Sequence, residues 1–390
     1  MIEYRMDEIF ELQMGKTPSR GKQEYWVSKG HKWISIADLS KCGKYISETK
    51  EYLSDEAVNE SGISLIPANT VLLSFKLSIG KVAITAEPMY SNEAIMSFRD
   101  RQVVELLPEY IYYMFLGKDW DSGTNKAVMG KTLNKATLSA IRIKVHDISK
   151  QREIVRVLSK VDELIVARQQ QLAKLDELVK ARFVEMFGDM LLNPMAWPEV
   201  VLETLADIVS GITKGRKVRE QTLLEVPYMA VSNVKDGYID WTTVKTILAT
   251  EREIEQYCLF PDDVLMTEGG DPDKVGRGAI IKEPLENCIH QNHIFRVRLD
   301  KGKILPTFFT EYLQHQKAKR YFLGCAKQTT GIASINMKQL KALAVLLPPL
   351  DLQQKFDEFV RQVELVSCSI QNYLEQMETL KKALMQQYFG

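Results

Sequence analysis

No stretch of this 390-residue chain approaches the ~18 consecutive apolar residues that a membrane-spanning helix requires, so no membrane partner is expected. The N-terminus, MIEYRMDEIFEL, is acidic and amphipathic and has no signal-peptide core, which makes the cytoplasm the expected location. Cysteine is sparse: Cys42, Cys258, Cys288, Cys325 and Cys368 are scattered without a CxxC pair, which excludes a disulfide framework and a cysteine zinc site. A charge surplus is missing too. With 51 basic and 51 acidic side chains the formal net charge is zero, whereas nucleic-acid binders usually carry a basic excess. The apolar fraction, 45%, is nonetheless ordinary for a globular protein and suffices for proper cores.

Catalytic signatures are equally scarce. There is no GxxxxGK[ST] phosphate loop, and Gly130-Lys131-Thr132 has only its tail, so no nucleotide triphosphatase is expected. Asn193-Pro194-Met195-Ala196 shares two letters with the loop of amino-methylating enzymes but sits in a linker. Pro261-Asp262-Asp263 with Glu268 faintly resembles a nuclease metal site. Glu268 is followed by two glycines, however, so a turn before a buried strand is the better reading. His290 and His293 have no third His or Cys nearby and read as a strand-edge pair. No catalytic residue and no metal ligand is assigned.

What the chain has is an internal repeat. Gln151 to Gly188 aligns without gaps on Gln353 to Gly390, an offset of 202. Earlier segments repeat more loosely: Gly15-Lys16-Thr17 with Gly211-Ile212-Thr213, Leu65–Phe75 with Leu259–Gly269, Gly80–Ile84 with Gly276–Ile280, and Leu107-Pro108 with Leu305-Pro306. The period is far too long for a solenoid, so the chain is a tandem duplication of one unit, a globular part followed by a long helix. Four segments result: a globular domain over 1–149, a helix over 150–189, a second globular domain over 190–350 and a second helix over 351–390.

In the first helix Ile154, Leu158, Val161, Ile165, Leu172, Leu175, Val179 and Met186 follow a 4-3 spacing, broken only by Arg168 and Arg182. In the second, Phe356, Val360, Val363, Ile370, Leu374, Met377, Leu384 and Tyr388 do the same, broken by Ser367 and Lys381. Such spacing defines a coiled-coil seam. Asp351 is the expected N-cap of the second helix and Gly188 the residue that ends the first. About 36 residues make a rod of roughly 54 Å, and the simplest partner for each seam is the other copy, antiparallel. Short β-branched runs around residues 70–75, 81–85, 263–267 and 279–281 read as strands, and helices are expected after Pro108 and Pro306. The fold class is therefore α+β, two similar globular domains separated by a pair of long antiparallel coiled-coil helices with pseudo-two-fold symmetry.

Cations gather locally despite the zero total. Lys214, Arg216, Lys217 and Arg219 follow the Gly211 turn, and Lys317-Ala318-Lys319-Arg320 forms a second run. Lys76, Ser78 and Lys81 surround a glycine turn in copy one, where copy two has Lys274 and Arg277. Polar, glycine-bearing loops precede both long helices and contain Lys126, Lys131 and Thr132 in the first, Gln328 and Thr330 in the second. Cations neutralise phosphates, and Gln, Thr and Arg can read base edges, so these residues, the run 317–320 apart, are the candidate DNA contacts.

The layout resembles, over its whole length, the DNA-specificity (S) subunit of type I restriction–modification systems. The resemblance rests on motifs in duplicated order. A Gly-x-Thr turn (Gly15/Thr17, Gly211/Thr213) is followed by a Pro turn opening a strand (Pro67 to Ser74, Pro261 to Thr267). Then come a Gly-Lys/Arg-x-Ala-Ile strand, a Leu-Asn or Ile-Asn step (Leu133-Asn134, Ile335-Asn336) and a glutamine-rich helix start. It implies a non-catalytic subunit whose two target-recognition domains each read one half of a bipartite, asymmetric site on double-stranded DNA. The helices would set the unread gap and dock methyltransferase subunits, expected to number two, with restriction/translocase subunits completing the complex. S-adenosylmethionine, ATP and Mg2+ would bind those partners and not this chain. Two other readings compete: a coiled-coil scaffold that binds only proteins, and a fused restriction enzyme with its own active site. Residues 1–149 hold 19 basic and 19 acidic side chains, residues 191–350 hold 20 and 19, and residues 351–390 hold 4 and 6. That balance argues against binding DNA alone, and fits a subunit that shares the clamping with partners.

Overall fold

The computed structural model describes every residue except Leu77, 121–132, 217–221, Pro272, Asp273 and Thr330. Contacts divide the chain into two units. One comprises Met1–Gln169 with Gln371–Gly390, the other Gln170–Ile370, so each holds one globular domain, the near half of one long helix and the far half of the other.

In the first unit Ile2–Arg5 pairs antiparallel with Arg142–Val145, closing the domain at its two ends. A five-stranded sheet runs in the order Phe10–Met14, Ile95–Asp100, Val71–Ser74, Val82–Thr85, Tyr45–Ile46. A second sheet orders Trp26–Val27, Glu51–Leu53, His31–Ile34, Tyr90–Ser91. The helix Pro108–Gly117, with proline at its first position, buries Tyr110–Phe115 against the strands and against Ile154, Leu158 and Met385 of the long helices.

The second unit repeats the plan. Glu199–Val201 pairs with Ala344–Leu346, and a four-stranded sheet orders Ala206–Ser210, Ile294–Leu299, Val264–Thr267, Gly278–Ile280. Lys245–Ala249, Leu224–Met229 and Ile289–His290 form the counterpart of the other sheet. The helix Pro306–Gln314 packs Phe308 against Phe183 and Phe187, and those two rings pack in turn against Phe356, with ring centres 4.9–5.5 Å apart. Stacked and edge-on aromatic contacts of this kind add to area burial in holding helices to domain. Among the elements not expected from the sequence are the helix Gln316–Cys325 and the small sheet of Gly269–Gly270, Ile332–Ser334 and Lys327–Thr329.

The long helices cover Ile148–Phe187 and Leu350–Phe389. The first ends at Gly188, whose left-handed backbone (φ +77°) supplies the stop. The second begins one residue before Asp351, and Leu352 and Gln353 donate to the Pro349 carbonyl. The expected cap is therefore displaced: Asp351 lies in the first turn, where a negative charge favours the helix dipole without a capping bond.

The seam residues face inward as the 4-3 spacing requires. In the first unit Ile154, Leu158, Val161 and Leu374 are buried, and Ile165 and Met377 half-buried. In the second, Phe356 and Val360 are buried, and Leu172, Leu175, Val363 and Ile370 half-buried. In the first unit the helices run antiparallel, with Lys150 against Tyr388, Asp162 bonded to Lys381 at 2.6 Å, and Arg168 against Tyr373. The charged interruptions are thus partnered. Arg168 lies 5.8 Å from the Tyr373 ring centre, Arg182 5.7 Å from that of Phe359, and Lys381 meets Asp162. Each keeps its charge at the seam edge while its stem covers apolar surface.

At the foot of each long helix a glutamine joins helix to domain. Gln151 is fully buried; its carbonyl accepts from Leu107 N (3.0 Å), and its amide donates to the carbonyls of Glu105 and His146 (both 2.9 Å). Gln353, also fully buried, accepts from Leu305 N (2.9 Å) and donates to Lys303 O (3.2 Å) and Pro348 O (2.8 Å). One side chain satisfies three backbone groups that the turn would otherwise leave bare.

Candidate nucleic-acid interface

In the second domain, loops that lie far apart in sequence are bonded to one another. Gly211 passes so close to the neighbouring strand that a Cβ there would stand 2.0 Å from the His290 carbonyl oxygen, which is why the turn needs glycine. Ile212 N donates to His290 O (2.8 Å), and Asn292 N donates to Ile212 O (3.0 Å). The next residue, His293, meets the Glu268 carboxylate at 2.5 Å, and Ile335 N donates to Glu268 O (2.8 Å). Gly269–Gly270 then pairs with Ala333–Ser334, which pairs with Lys327–Gln328. The Gly211 turn, the Lys274/Arg277 hairpin and the Gln328 loop therefore form one continuous edge of this domain.

Its cations differ in availability. Lys214 is exposed. Arg216 forks onto Glu253 and donates to Leu248 O (3.1 Å), and the guanidinium in turn holds the Glu253 carboxyl below its usual range. Lys274 is paired with Asp271. Arg277 is half-buried with its Nε enclosed and unbonded, and Gln328 is exposed. Lys217, Arg219 and Thr330 lie outside the described residues. The run Lys317–Arg320 falls on the helix Gln316–Cys325, where Lys317 bonds Glu199 (2.5 Å) and Lys319 approaches Asp236 (3.5 Å). Those two lysines serve the domain itself.

The first domain builds its edge on the same frame. A Cβ on Gly15 would stand 2.2 Å from Asn92 O, Lys16 N donates to Ser91 O (2.8 Å), and Thr17 donates to Glu93. Leu133 N donates to Phe75 O (3.3 Å), the counterpart of the Ile335–Glu268 bond. Between them the loop turns at Gly80 (φ +88°), with Lys76 5.2 Å from the Phe75 ring centre, the Ser78 carbonyl held by the Ser74 hydroxyl, and Lys81 exposed. Lys126, Lys131 and Thr132 lie outside the described residues. Sequence reasoning missed an aromatic shelf beside this edge. Arg20 lies 3.7 Å from the Trp26 ring centre and pairs with Glu51; Trp26 meets Trp33 edge-on at 5.0 Å, and Trp33 Nε1 donates to Lys16 O (3.0 Å). The nearness of Arg20 to Trp26 in sequence was its only signal.

The residues set aside as decoys have structural partners. Asp263, 1% exposed, receives two bonds from Arg298 at 2.8 Å. His290 is fully buried between the carbonyls of Tyr257 (3.1 Å) and Val209 (3.3 Å), and burial pushes its pKa down to about 4. Asn193 closes a turn with Trp197. Among the described residues no group of three or more His, Cys, Asp or Glu could hold a metal ion, and no helix is long and apolar enough to cross a membrane.

This arrangement is a duplicated one, two α+β units of one topology, each carrying parts of two long helices. The model of the type I restriction modification DNA specificity domain matches it twice, over residues 1–177 and 196–377, and the chain belongs to that family. Among curated relatives, the type I restriction enzyme MjaIX specificity subunit of Methanocaldococcus jannaschii is 29% identical over 219 residues, 55% of this chain and 49% of that one. The EcoKI specificity subunit of Escherichia coli K12 is 26% identical over 172 residues, 42% of this chain and 36% of that one. The matched stretch spans about half the length of the first of these relatives, and about a third of the second. A solved chain from work on complex assembly and conformational transition of the type I restriction–modification system superposes with a TM-score of 0.62. It is 15% identical, with 99% of this chain and 96% of that chain covered, a likeness of fold.

Proposed function

We propose that this chain is the non-catalytic DNA-recognition subunit of a type I restriction–modification complex. Each globular domain reads one half of a bipartite, asymmetric site on double-stranded DNA, and the long helices set the number of unread base pairs. The helices also dock methyltransferase subunits, two in the complete assembly, and restriction/translocase subunits join that complex. S-adenosylmethionine, ATP and Mg2+ belong to those partners, and the assembly works in the cytoplasm.

The observation that carries this reading is the contrast between frame and loops. The same backbone bonds recur in both domains at Gly15/Gly211 and at Leu133/Ile335, yet the residues at matching places differ: an exposed Lys16 against a buried Ile212, and Lys76 against Gly269. A conserved frame with unlike loops suits two unlike half-sites. Exposed Lys81 and Lys214 suit phosphates, and exposed Gln328 suits a base edge.

Co-purification with the methyltransferase encoded beside it, followed by footprinting, tests the reading. Two protected patches separated by a fixed unprotected gap are expected. A single continuous footprint, or nuclease or methylase activity of the purified chain alone, would overturn it.

A further inference from the structure

In the second domain a cavity of about 470 Å³ opens between Gly237–Trp241, the strand end at Ile280–Glu283, the helix Pro306–Gln314, and Val360 and Glu364 of the long helix. That volume falls within the ~300–1,000 Å³ typical of ligand pockets. Its lining holds three carboxylates, Glu283, Glu311 and Glu364, against one cation, Lys282, which is already paired with Glu364. Glu311 has no hydrogen bond or ion pair among the described residues, and burial holds its carboxyl above the ordinary carboxylate value. Thr310 is only 6% exposed, lines the same cavity, and its hydroxyl has no partner. Trp241 and Tyr238 lend aromatic surface at the mouth, where both are exposed.

The matching place in the first domain is also a cavity, of about 540 Å³, lined by Gly43, Lys44, Tyr112 and Asp162, but it holds cations of its own: Lys44, Lys381 and Lys382. By the repeat alignment Tyr112 and Tyr113 stand for Thr310 and Glu311, Asp162 for Glu364, and Gly43 for Gly237. Directly after Gly43 comes Lys44, which donates to Ser159 Oγ (2.9 Å) on the long helix and lies 4.7 Å from the Tyr113 ring centre. Asp162 adds the largest favourable charge on that ammonium. Copy one thus seats a cation of its own against an aromatic ring and an acid. Copy two has Tyr238 after the glycine; its Glu364 is paired with Lys282, while Glu311 has the charge of Lys180 acting on it but no bonded partner among the described residues.

We propose that this cavity receives the guanidinium of an arginine presented by the docked methyltransferase subunit, an assignment that rests on the complex proposed above. Arginine suits it better than lysine. A flat guanidinium can stack on the indole of Trp241, fork onto the Glu311 carboxylate, and give a remaining N–H to the Thr310 hydroxyl. An unpaired acid and an unpaired hydroxyl are costly when buried, and such a side chain satisfies both.

The test uses the full chain and the purified methyltransferase subunit, with affinity measured by calorimetry. Glu311→Gln keeps the shape and removes the charge, and is expected to weaken binding about tenfold or more, with the thermal midpoint unchanged. Glu311→Lys, which supplies an internal cation as copy one does, is expected to weaken it further while the domain stays folded. Unchanged affinity in both folded variants overturns the proposal. Should the wild-type chain not bind the methyltransferase, the complex itself fails, and the cavity is judged separately with butylguanidinium chloride. A saturable change in Trp241 fluorescence, absent in Trp241→Phe and in Glu311→Gln, supports the site. No saturable change in the wild-type chain sinks it.

Discussion

Gln151 in the first copy and Gln353 in the second make the same three hydrogen bonds, whereas the fully buried His290 of the second copy stands where the first has Ser91. The duplication has thus kept the joint between helix and domain and let the packing behind the recognition edge drift. The difference teaches which residues answer to the shared architecture and which to one domain alone. Substitutions at the joint should act alike in both copies, and substitutions beyond it should act in one.

The joint gives the largest expected effect. Gln151→Leu and Gln353→Leu each strand one backbone N–H and two carbonyls in a buried turn, and each should cost about 3–5 kcal/mol in urea unfolding. Losses below about 1 kcal/mol in either copy would break the equivalence. Next comes acid. His290 titrates near 4 in the folded domain, below the ~6.5 of an unfolded histidine, so unfolding takes up a proton between those values. Stability of the second domain is therefore whole above about pH 6.5 and falls by about 3 kcal/mol as pH drops toward 4. His290→Ser, which copies the first domain, should flatten that part of the pH profile.

Arg216 and Lys214 compare a paired with an exposed cation within one loop. Arg216→Ala removes the fork onto Glu253, and should lower the stability of the second domain by about 1–3 kcal/mol in thermal melts of the free chain. Lys214→Ala should leave those melts unchanged. In the assembled complex it should weaken binding to all sequences alike and reduce the slope of log affinity against log salt by about 0.9. The reverse pattern would show that the pairing seen at Arg216 does not decide its role.

Periodicity made the seam legible before any coordinates, because every second turn of each helix meets the same neighbour. It could not explain why Arg168, Arg182 and Lys381 are tolerated there. Their partners Tyr373, Phe359 and Asp162 lie roughly 180 to 220 residues away in the chain, so only the fold brings them together. The glutamines were visible merely as a helix start rich in that residue, since their bonds run to backbone groups that any sequence would supply. At the recognition edge, glycine turns were read correctly where close approach forbids a Cβ, at Gly15 and Gly211. Charge clustering was a poorer guide. It gave Arg216 the same weight as Lys214, because composition does not reveal which cation is already held by Glu253.

On the proposed function the two copies read separate half-sites. Mapping methylated bases across a genome tests it directly, first with this chain and then with residues 190–350 replaced by the corresponding domain of another family member. One half of the methylated motif should change while the other half and the gap between them persist. A change in both halves, or in neither, would contradict the claim.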